Sequence, residues 1–447
     1  MRHRLAVLFL VGAGGGAGAC TRTPPPAPVT PAEIPGLIAQ VGQRPQDGAL
    51  QFRLAAALSA AGRCDSGVVV VGSAARLQPD NVLGPLIVGA CEEQAGRYDE
   101  AVATYNDFAA QHPHARGVAA LRAKAQLALR TGAERTAQQA LAREAELAQQ
   151  PPTSATVAVL PLVIAGDSSV QPLSRGIAEL ITTDLAYIRT LRLLERIQIG
   201  VLLDELKLGA SARVDPATAA RVGRLLRAER MVQGTATISP SGPVQISATV
   251  VTGTGVVRPV RQVTGPFPRL LDLEKQVVLD LASELGIELT EAERQQILRQ
   301  GPKSLAAFLA YSRGLEALDL GDYGAAARNF RAAAQADPGF QAAQQGQEAA
   351  LAAPVAGQAT GVGIVGVVDA VEQVAEVPAP GGAVGGAGGI LSYGARDVVP
   401  AIGDAIADVR LPTGSSSIDR HLTPESVGLP SIVSVANGIT IIFKRPP

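Results

Sequence analysis

The chain has 447 residues, enough for two or three domains, with 39 basic and 40 acidic side chains and a formal net charge of -1. This balance gives no electrostatic reason to expect nucleic acid or an anionic membrane surface as the main partner. Hydrophobic residues make up 47% of the chain, but it has no Trp and only 3% aromatic residues, so we expect cores built from small side chains.

Residues 1–19 have the features of an export signal. The basic segment Arg2–Arg4 precedes the apolar run Leu5–Val11, which is too short to span a bilayer, and small residues then lead to Cys20. Small residues directly before a cysteine resemble the lipobox of bacterial lipoproteins, which implies that Cys20 is acylated and becomes the mature N-terminus. Thr21 follows it, and by the same resemblance we expect an outer-membrane anchor with the protein facing the periplasm. A plain secretory signal, giving a soluble periplasmic protein, is the alternative.

Residues 20–33 form a Pro-rich tether. The run Thr21–Pro28 contains four prolines. Pro-rich chains are extended and semi-rigid, which suits a spacer between a lipid anchor and a folded body.

Residues 34–150 contain an internal repeat. Gly62 and Pro79 recur as Gly96 and Pro113, 34 residues further along the chain. This is the period of tetratricopeptide repeats, in which stacked helix pairs bury each other's apolar faces. The pattern predicts an all-α tetratricopeptide solenoid.

Two further copies of the repeat are predicted. A degenerate third copy is centred on Gly132, with Ala137 and Leu141 at its small and apolar positions. Another copy occupies residues 303–349, and it is carried by Gly321, Tyr323, Ala326, Phe330, Ala333 and Pro338.

A solenoid of this kind has a concave surface lined by the first helix of each pair. The residues expected to face it are Phe52, Leu83, Leu86, Arg122 and Leu129. A peptide or helix of an envelope protein could dock there. The alternative is that some of these residues pack only against the chain's own linker.

Cys64 and Cys91 are the thiols that remain if Cys20 is acylated. The repeat places them level on antiparallel helices, so a disulfide is plausible in an oxidising periplasm, and two separate buried thiols are the alternative. Two cysteines without a Cys or His partner at ligand spacing do not indicate a metal site.

Residues 153–292 change to an α/β pattern. We predict a buried first strand, amphipathic helices, a strand hairpin and a covering helix, which together indicate a helix-covered mixed sheet. The predicted elements are strand Val157–Val163, helix Leu173–Ile188, strand Leu191–Leu194, helix Ile197–Leu206, a helix starting at Asp215–Pro216, strands Met231–Ile238 and Val244–Val251, and helix Leu270–Leu285.

This order of elements resembles the domain shared by the curli-secretion lipoproteins, the flagellar-associated lipoproteins and the N-terminal domain of TolB-like proteins. The resemblance rests on Val157–Pro161, Leu193–Arg196, Leu202–Leu206, Val222–Leu226 and Met231–Thr235. It implies an envelope domain that binds proteins and does not catalyse a reaction.

No catalytic, cofactor or metal site is predicted. Gly361–Gly366 spells G-x-G-x-x-G but does not follow a strand, as a dinucleotide site requires. The histidines outside the signal, His112, His114 and His421, have no partner at ligand or triad spacing. The charged pair Glu195–Arg196 is expected to be solvated or to cap a helix.

Residues 350–447 are rich in Gly, Ala and Pro, and we predict a largely disordered low-complexity tail. Asn437-Gly438 lies between two apolar runs, which indicates a hairpin near the end.

The sequence thus predicts a multidomain, non-enzymatic lipoprotein. We expect it to act as an adaptor or scaffold that binds envelope proteins through the groove and the α/β domain, and to contact the membrane only through its lipid. Two alternatives are a sensor of a small ligand, a nucleotide or glycan bound near Gly166, and a subunit of a secretion pore.

Overall fold

The structure is a computed structural model that describes residues 29–208, 210–358, 363–376, 431–435 and 439–443. The described part is mostly helical. Its helices are α1 Ile34–Gln43, α2 Gly48–Ala60, α3 Cys64–Leu77, α4 Leu83–Gln94, α5 Tyr98–Gln111, α6 Val118–Ala142, α7 Glu144–Leu147, α8 Leu173–Leu185, α9 Arg196–Glu205, α10 Pro216–Leu226, α11 Leu270–Glu284, α12 Glu291–Arg299, α13 Leu305–Asp319, α14 Tyr323–Ala336, α15 Gln341–Ala356 and α16 Val367–Glu376.

Three glycines end helices in the same way. Gly62, Gly96 and Gly321 all have positive φ angles, between 72° and 76°, and each follows the last turn of a helix. The residue after each glycine donates its N–H to a carbonyl five positions back, and the glycine donates to one three positions back. This is the Schellman arrangement, which favours glycine because a Cβ is strained at positive φ. It separates α2 from α3, α4 from α5, and α13 from α14.

Two of these helix pairs, α4–α5 and α13–α14, share a close contact between a glycine and an aromatic ring. A Cβ on Gly89 would lie 2.3 Å from the ring of Tyr105, and one on Gly314 would lie 2.5 Å from the ring of Phe330. Both aromatic side chains are fully buried. The missing Cβ therefore lets the two helices of a pair approach, and the ring fills the space between them.

The predicted copy around Gly132 is wrong as a helix pair. Gly132 lies inside α6, which is continuous from Val118 to Ala142. A Cβ there would lie 2.7 Å from the Cβ of Tyr98, so this glycine serves close packing of α6 against α5 and not a turn.

The strands form one mixed sheet and a separate hairpin. Its strands are β1 Thr153–Val159, β2 Val163–Ala165, β3 Arg192–Leu193, β4 Ala228–Thr237, β5 Pro243–Thr252, β6 Val257–Pro259 and β7 Val263–Pro266. The order is β3-β1-β4-β5-β6, with β2 also on β4 and β7 also on β5. The pairs β1–β3, β1–β4 and β2–β4 are parallel, and those of β5 are antiparallel.

The predicted elements of residues 153–292 are present, with shifts at their ends. The first strand differs most: it starts at Thr153, ends at Val159, and resumes as β2 after Leu160-Pro161-Leu162. Proline lacks the N–H that a central strand needs, which explains the break. Asp215 caps α10, since its carboxylate accepts from the N–H groups of Ala217 and Thr218.

Both faces of the sheet are covered. Alternate strand residues point to opposite faces, so Val157 and Val159 pack with α8 and α11, whereas Ala158 and Leu160 pack with α9 and α10. The second face also receives Ala133, Ala137 and Ala140 of α6. The α/β unit is therefore packed directly on the last helix of the N-terminal repeats.

The helices before and after the sheet join in space. α6 packs on α5 and also on α15, and α15 packs on α14, which pairs with α13. The helical layer thus continues from α6 into helices that follow more than 160 residues later, and the α/β unit is an insertion between them. The copy predicted at 303–349 is an extension of the first repeats and not a separate unit.

The prediction of a disordered tail from residue 350 onwards is wrong for its first part. Residues 350–356 belong to α15, and α16 spans Val367–Glu376. Alanines and valines of this part are buried against the N-terminal helices, which offsets the cost of ordering them. The backbone of Ser431–Val435 (β8) and Ile439–Phe443 (β9) forms the predicted antiparallel hairpin. Residues 377–430 lie outside the described part.

Candidate functional site

The predicted groove is covered by the chain itself. Phe52 and Leu86 are completely buried, Leu83 and Leu129 are half-buried, and none of them offers an open concave surface. The core of the first helices is extended by buried residues of α15, of α16 and of the turn before α16: Ala352, Ala353, Ala356, Ile364, Val365, Val367 and Val371.

Arg122 also has a partner within the chain. Its guanidinium forms an ion pair with Glu348 on α15, and its side chain is only 15% exposed. The expectation of a free groove is therefore wrong for Phe52, Leu86 and Arg122. The physical reason is that small residues on α15 let that helix pack along α6, a contact between positions too far apart in sequence to be inferred from periodicity.

A charged junction joins three parts of the molecule at Asp319, the last residue of α13. Its carboxylate accepts from Arg175 Nε at 2.8 Å and from Arg196 Nη1 at 2.6 Å, and its backbone carbonyl accepts from Arg130 Nη2 at 2.9 Å. Arg196 also donates to Glu179 at 3.1 Å. The α/β unit and the downstream helix pair are thus held by ion pairs, and α6 is joined to them by a hydrogen bond to a backbone carbonyl. We call this set of contacts the Asp319 junction.

Arg196 is the buried centre of the Asp319 junction. Its side chain is 7% exposed, so the expectation that the pair Glu195–Arg196 is solvated or caps a helix is wrong for the arginine, whereas Glu195 stands at the N-cap position of α9. Burial alone lowers the pKa of Arg196, but the carboxylates of Asp319 and Glu179 outweigh it and hold the pKa above its ordinary value. A permanently charged, fully paired guanidinium fits a structural role.

A second buried cluster lies between α8 and α11. Lys275 forms an ion pair with Asp184, and its Nζ lies 3.6 Å from Glu274, so one ammonium faces two carboxyl groups. Glu274 is fully buried, and its two carboxyl oxygens accept no hydrogen bond. Burial raises the pKa of Asp184 to about 6, and burial with the nearby Asp184 charge raises the pKa of Glu274 further.

The sequence contained a signal for the cluster of Asp184, Glu274 and Lys275, but little for the Asp319 junction. Glu274 falls within the apolar stripe of Leu270, Leu273 and Val277, where a carboxyl group must be buried. Asp319 is the last residue of α13, and nothing near it in sequence indicates partners from α6, α8 and α9.

Cys64 and Cys91 form a disulfide in the structure. Their Cα atoms are 5.6 Å apart, and the bond links the start of α3 to the end of α4. The sequence left open a disulfide or two separate thiols, and the structure contains the disulfide. Cys20, the expected lipidation site, lies outside the described residues.

At the point near Gly166 proposed for a small ligand, the backbone packs closely against Ile238 and Val170. A Cβ on Gly166, at the carboxyl end of β2, would lie 2.6 Å from the carbonyl oxygen of Ile238 and 2.7 Å from Val170. A cavity of about 240 Å³ lies instead at the opposite end of the sheet, between the start of β1, the start of β4 and the end of α11. Beside it Ala155 has a φ of 61°, and its N–H donates to the Glu229 carboxylate.

Neither a metal-binding cluster nor a membrane-spanning helix is present among the described residues. They contain no group of three or more His, Cys, Asp and Glu placed to hold a metal ion. None of the helices in that part of the chain is both long and apolar enough to cross a bilayer. Gly361 of the G-x-G-x-x-G segment lies outside the described residues, and the element before it is helix α15.

Comparison with known proteins adds one similarity. No curated protein matches the chain. One family model does match, over residues 138–238, from the last turns of α6 to the end of β4. It leaves out β5, β6, β7 and α11, and it covers less than half of the chain. Within these limits the strand–helix half of the sheet unit is similar to the family described as curli production assembly/transport component CsgG.

Proposed function

We propose that this protein is a non-enzymatic adaptor of the bacterial cell envelope, with a role related to curli assembly or transport. The observation that carries the proposal is the match of residues 138–238 to the curli production assembly/transport family. The helix pairs on either side of this segment are proposed to be tetratricopeptide repeats, which act in protein binding. Their shared Schellman turns and glycine–aromatic contacts support this assignment.

The way in which the parts are joined supports a scaffold. The Asp319 junction and the packing of α6 on α9 hold the CsgG-like segment against the repeats. A rigid connection of this kind presents two binding surfaces in a fixed relative orientation. Partners bound to the two surfaces would then be held at a defined distance from each other.

We further propose that acylated Cys20 anchors the protein at the outer membrane. The test is labelling of cells with an alkyne-bearing fatty acid, comparing the wild type with Cys20→Ala. We expect label only on the wild type, and membrane association that is lost in the variant. Label on both proteins, or on neither, would exclude acylation at Cys20.

The adaptor role is tested by crosslinking in intact cells. A photo-reactive amino acid at Val69 of α3, which is 73% exposed, and one at Val257 of β6, 44% exposed, sample the repeats and the sheet edge. We expect each to trap envelope proteins. Leu173, which is fully buried, is the matched negative position. A protein that gives no adduct from either surface is not an adaptor.

One observation favours a second candidate function, a sensor of a small ligand. The cavity of about 240 Å³ beside Ala155 lies next to a backbone conformation that costs energy for a non-glycine residue, and such strain clusters at functional sites. A thermal-shift screen of nucleotides and short glycans distinguishes the two, because an adaptor shows no shift. Detergent-stable rings seen by electron microscopy would instead support the third candidate, a pore subunit.

A further inference from the structure

Helix α16 covers an apolar surface on the N-terminal repeats. It buries Val367, Ala370 and Val371, and the preceding turn buries Ile364 and Val365. Val368 lies over Gly117, where a Cβ would come within 2.7 Å of it and within 3.1 Å of Val82. We call the surface formed by Val82, Arg116, Gly117 and the adjoining start of α6 the α16 site.

The segment that occupies the α16 site is short and is attached through glycines. α16 has ten residues, fewer than an isolated helix needs to be stable in water, so its conformation depends on the surface beneath it. Residues 357–366, which connect it to α15, include Gly357, Gly361, Gly363 and Gly366. Burial against this surface is therefore what holds α16 as a helix, whereas α15 has its own contacts with α6 and α14.

The contacts of α16 define what else would fit. Its buried residues Val367, Ala370 and Val371 follow the i, i+3, i+4 spacing of one face of a helix. Asp369, beside that face, forms an ion pair with Arg116 at 2.6 Å, and Arg116 is 68% exposed. An exposed pair of this kind adds little affinity, but it sets the direction in which a helix lies. The matching ligand is an amphipathic helix with small apolar residues at this spacing and an acidic residue at its edge.

We propose that the α16 site is a helix-docking site, that α16 occupies it in the free protein, and that an amphipathic helix of a partner protein displaces α16. This deepens the proposed adaptor function, because it names the class of partner segment and the element that competes with it. Binding of the partner costs the release of α16, so the site is held closed until a helix of higher affinity or high local concentration is present.

The test uses the full-length protein and a fluorescent peptide with the sequence of residues 363–376. Release of α16 is produced by the double substitution Val367→Asp/Val371→Asp, which places two charges at buried positions. The matched control is Val68→Asp/Val69→Asp, the same change at two exposed valines of α3. By fluorescence anisotropy we expect the released variant to bind the peptide at least tenfold more tightly than the wild type or the control. Arg116→Glu in the released variant should weaken binding severalfold.

A second measurement covers the case in which the released variant does not fold. A protease site inserted after Gln358 in the otherwise wild-type chain allows α16 to be cut from α15 in the folded protein. We expect the labelled peptide to replace the cut segment on gel filtration. A folded released variant that binds no more peptide than the wild type overturns the proposal, and so does a cut protein that never exchanges its segment. Neither result bears on acylation of Cys20 or on crosslinking at Val69 and Val257, so the adaptor proposal is judged separately.

Discussion

Asp319 and Glu274 show what single carboxyl groups do in this molecule. The carboxylate of Asp319 is shared by two arginines from the α/β unit, and its backbone carbonyl takes a third from α6. Glu274 is buried, its two carboxyl oxygens accept no hydrogen bond, and it lies close to the carboxyl group of Asp184. The first residue stabilises the assembly of the parts, whereas the second weakens it when it is ionised.

We predict that Asp319→Ala lowers the free energy of unfolding by about 3 kcal/mol or more, because Arg196 would remain buried with one of its carboxylate partners gone. Urea unfolding followed by circular dichroism measures the change. Asp107→Ala, at an exposed position of α5, is the control and should have little effect. Equal unfolding midpoints for the two variants would show that the Asp319 junction does not hold the parts together.

The pKa values of Asp184 and Glu274 predict a dependence of stability on pH. An acid whose pKa is raised in the folded state binds its proton more tightly there than in the unfolded chain, so folding is favoured at low pH. This contribution is complete below the ordinary pKa values of about 4 and is lost as the pH rises through 6, the value for Asp184; the raised pKa of Glu274 acts in the same direction. Stability should therefore fall as the pH rises from about 4 through 6.

Glu274→Gln tests this origin. The amide keeps the shape of the side chain but is never ionised, so we expect the variant to be more stable than the wild type at pH 8 by about 1 to 3 kcal/mol. The decline in the stability of the variant with rising pH, measured by thermal unfolding, should be smaller than that of the wild type. Glu288→Gln, at an exposed position, should keep the wild-type profile. An unchanged slope in Glu274→Gln would place the origin of any pH dependence elsewhere.

At the scale of elements, the helix pairs depend on glycines with two different roles. Gly62, Gly96 and Gly321 end helices at positive φ, whereas Gly89 and Gly314 lie within helices and admit an aromatic ring. The first role is visible as a Gly-to-Pro period in the sequence. The second becomes clear only when the facing ring is known.

Gly89→Ala and Gly72→Ala form a matched pair for testing the second role. A Cβ on Gly89 meets the buried ring of Tyr105, so we expect a loss of about 1 to 3 kcal/mol or more from overpacking. Gly72 lies on the open side of α3 with nothing within 4 Å, so alanine should stabilise the helix by about 0.5 to 1 kcal/mol. The midpoint temperature of thermal unfolding should fall in Gly89→Ala and rise in Gly72→Ala. Shifts of the same sign would mean that α4 and α5 can separate without cost.

At the scale of the whole molecule, the repeats before and after the sheet form one continuous helical layer. α15 joins α6, and their shared core includes Ala353 and Ala356 with residues of α2 and α4. Two segments that are far apart in the chain are thus expected to unfold as one cooperative unit.

Hydrogen exchange of Ala356→Asp tests this cooperativity. The substitution places a charge at a fully buried position of α15 and should cost about 2 kcal/mol or more. We expect faster exchange in α6 and α4 as well as in α15. Gln345→Asp, at an exposed position of the same helix, is the control and should change little. Faster exchange confined to α15 would show that the two sets of repeats unfold independently.

The sequence by itself determined the local elements. A helix starts at Asp215, glycines recur with the Gly-to-Pro period at Gly62 and Gly96, and strands alternate with amphipathic helices through residues 153–292. Each of these depends on backbone preferences and periodicity within some twenty residues, so the pattern was readable, including the similarity to a curli-secretion domain.

Only the tertiary structure decided how the parts meet. It showed that α15 packs along α6, that Arg122 pairs with Glu348 and that Arg196 is buried against Asp319. These contacts join residues more than a hundred positions apart. Small side chains such as alanine allow many alternative helix packings of similar local pattern, and the choice among them is made by the packing of the whole chain.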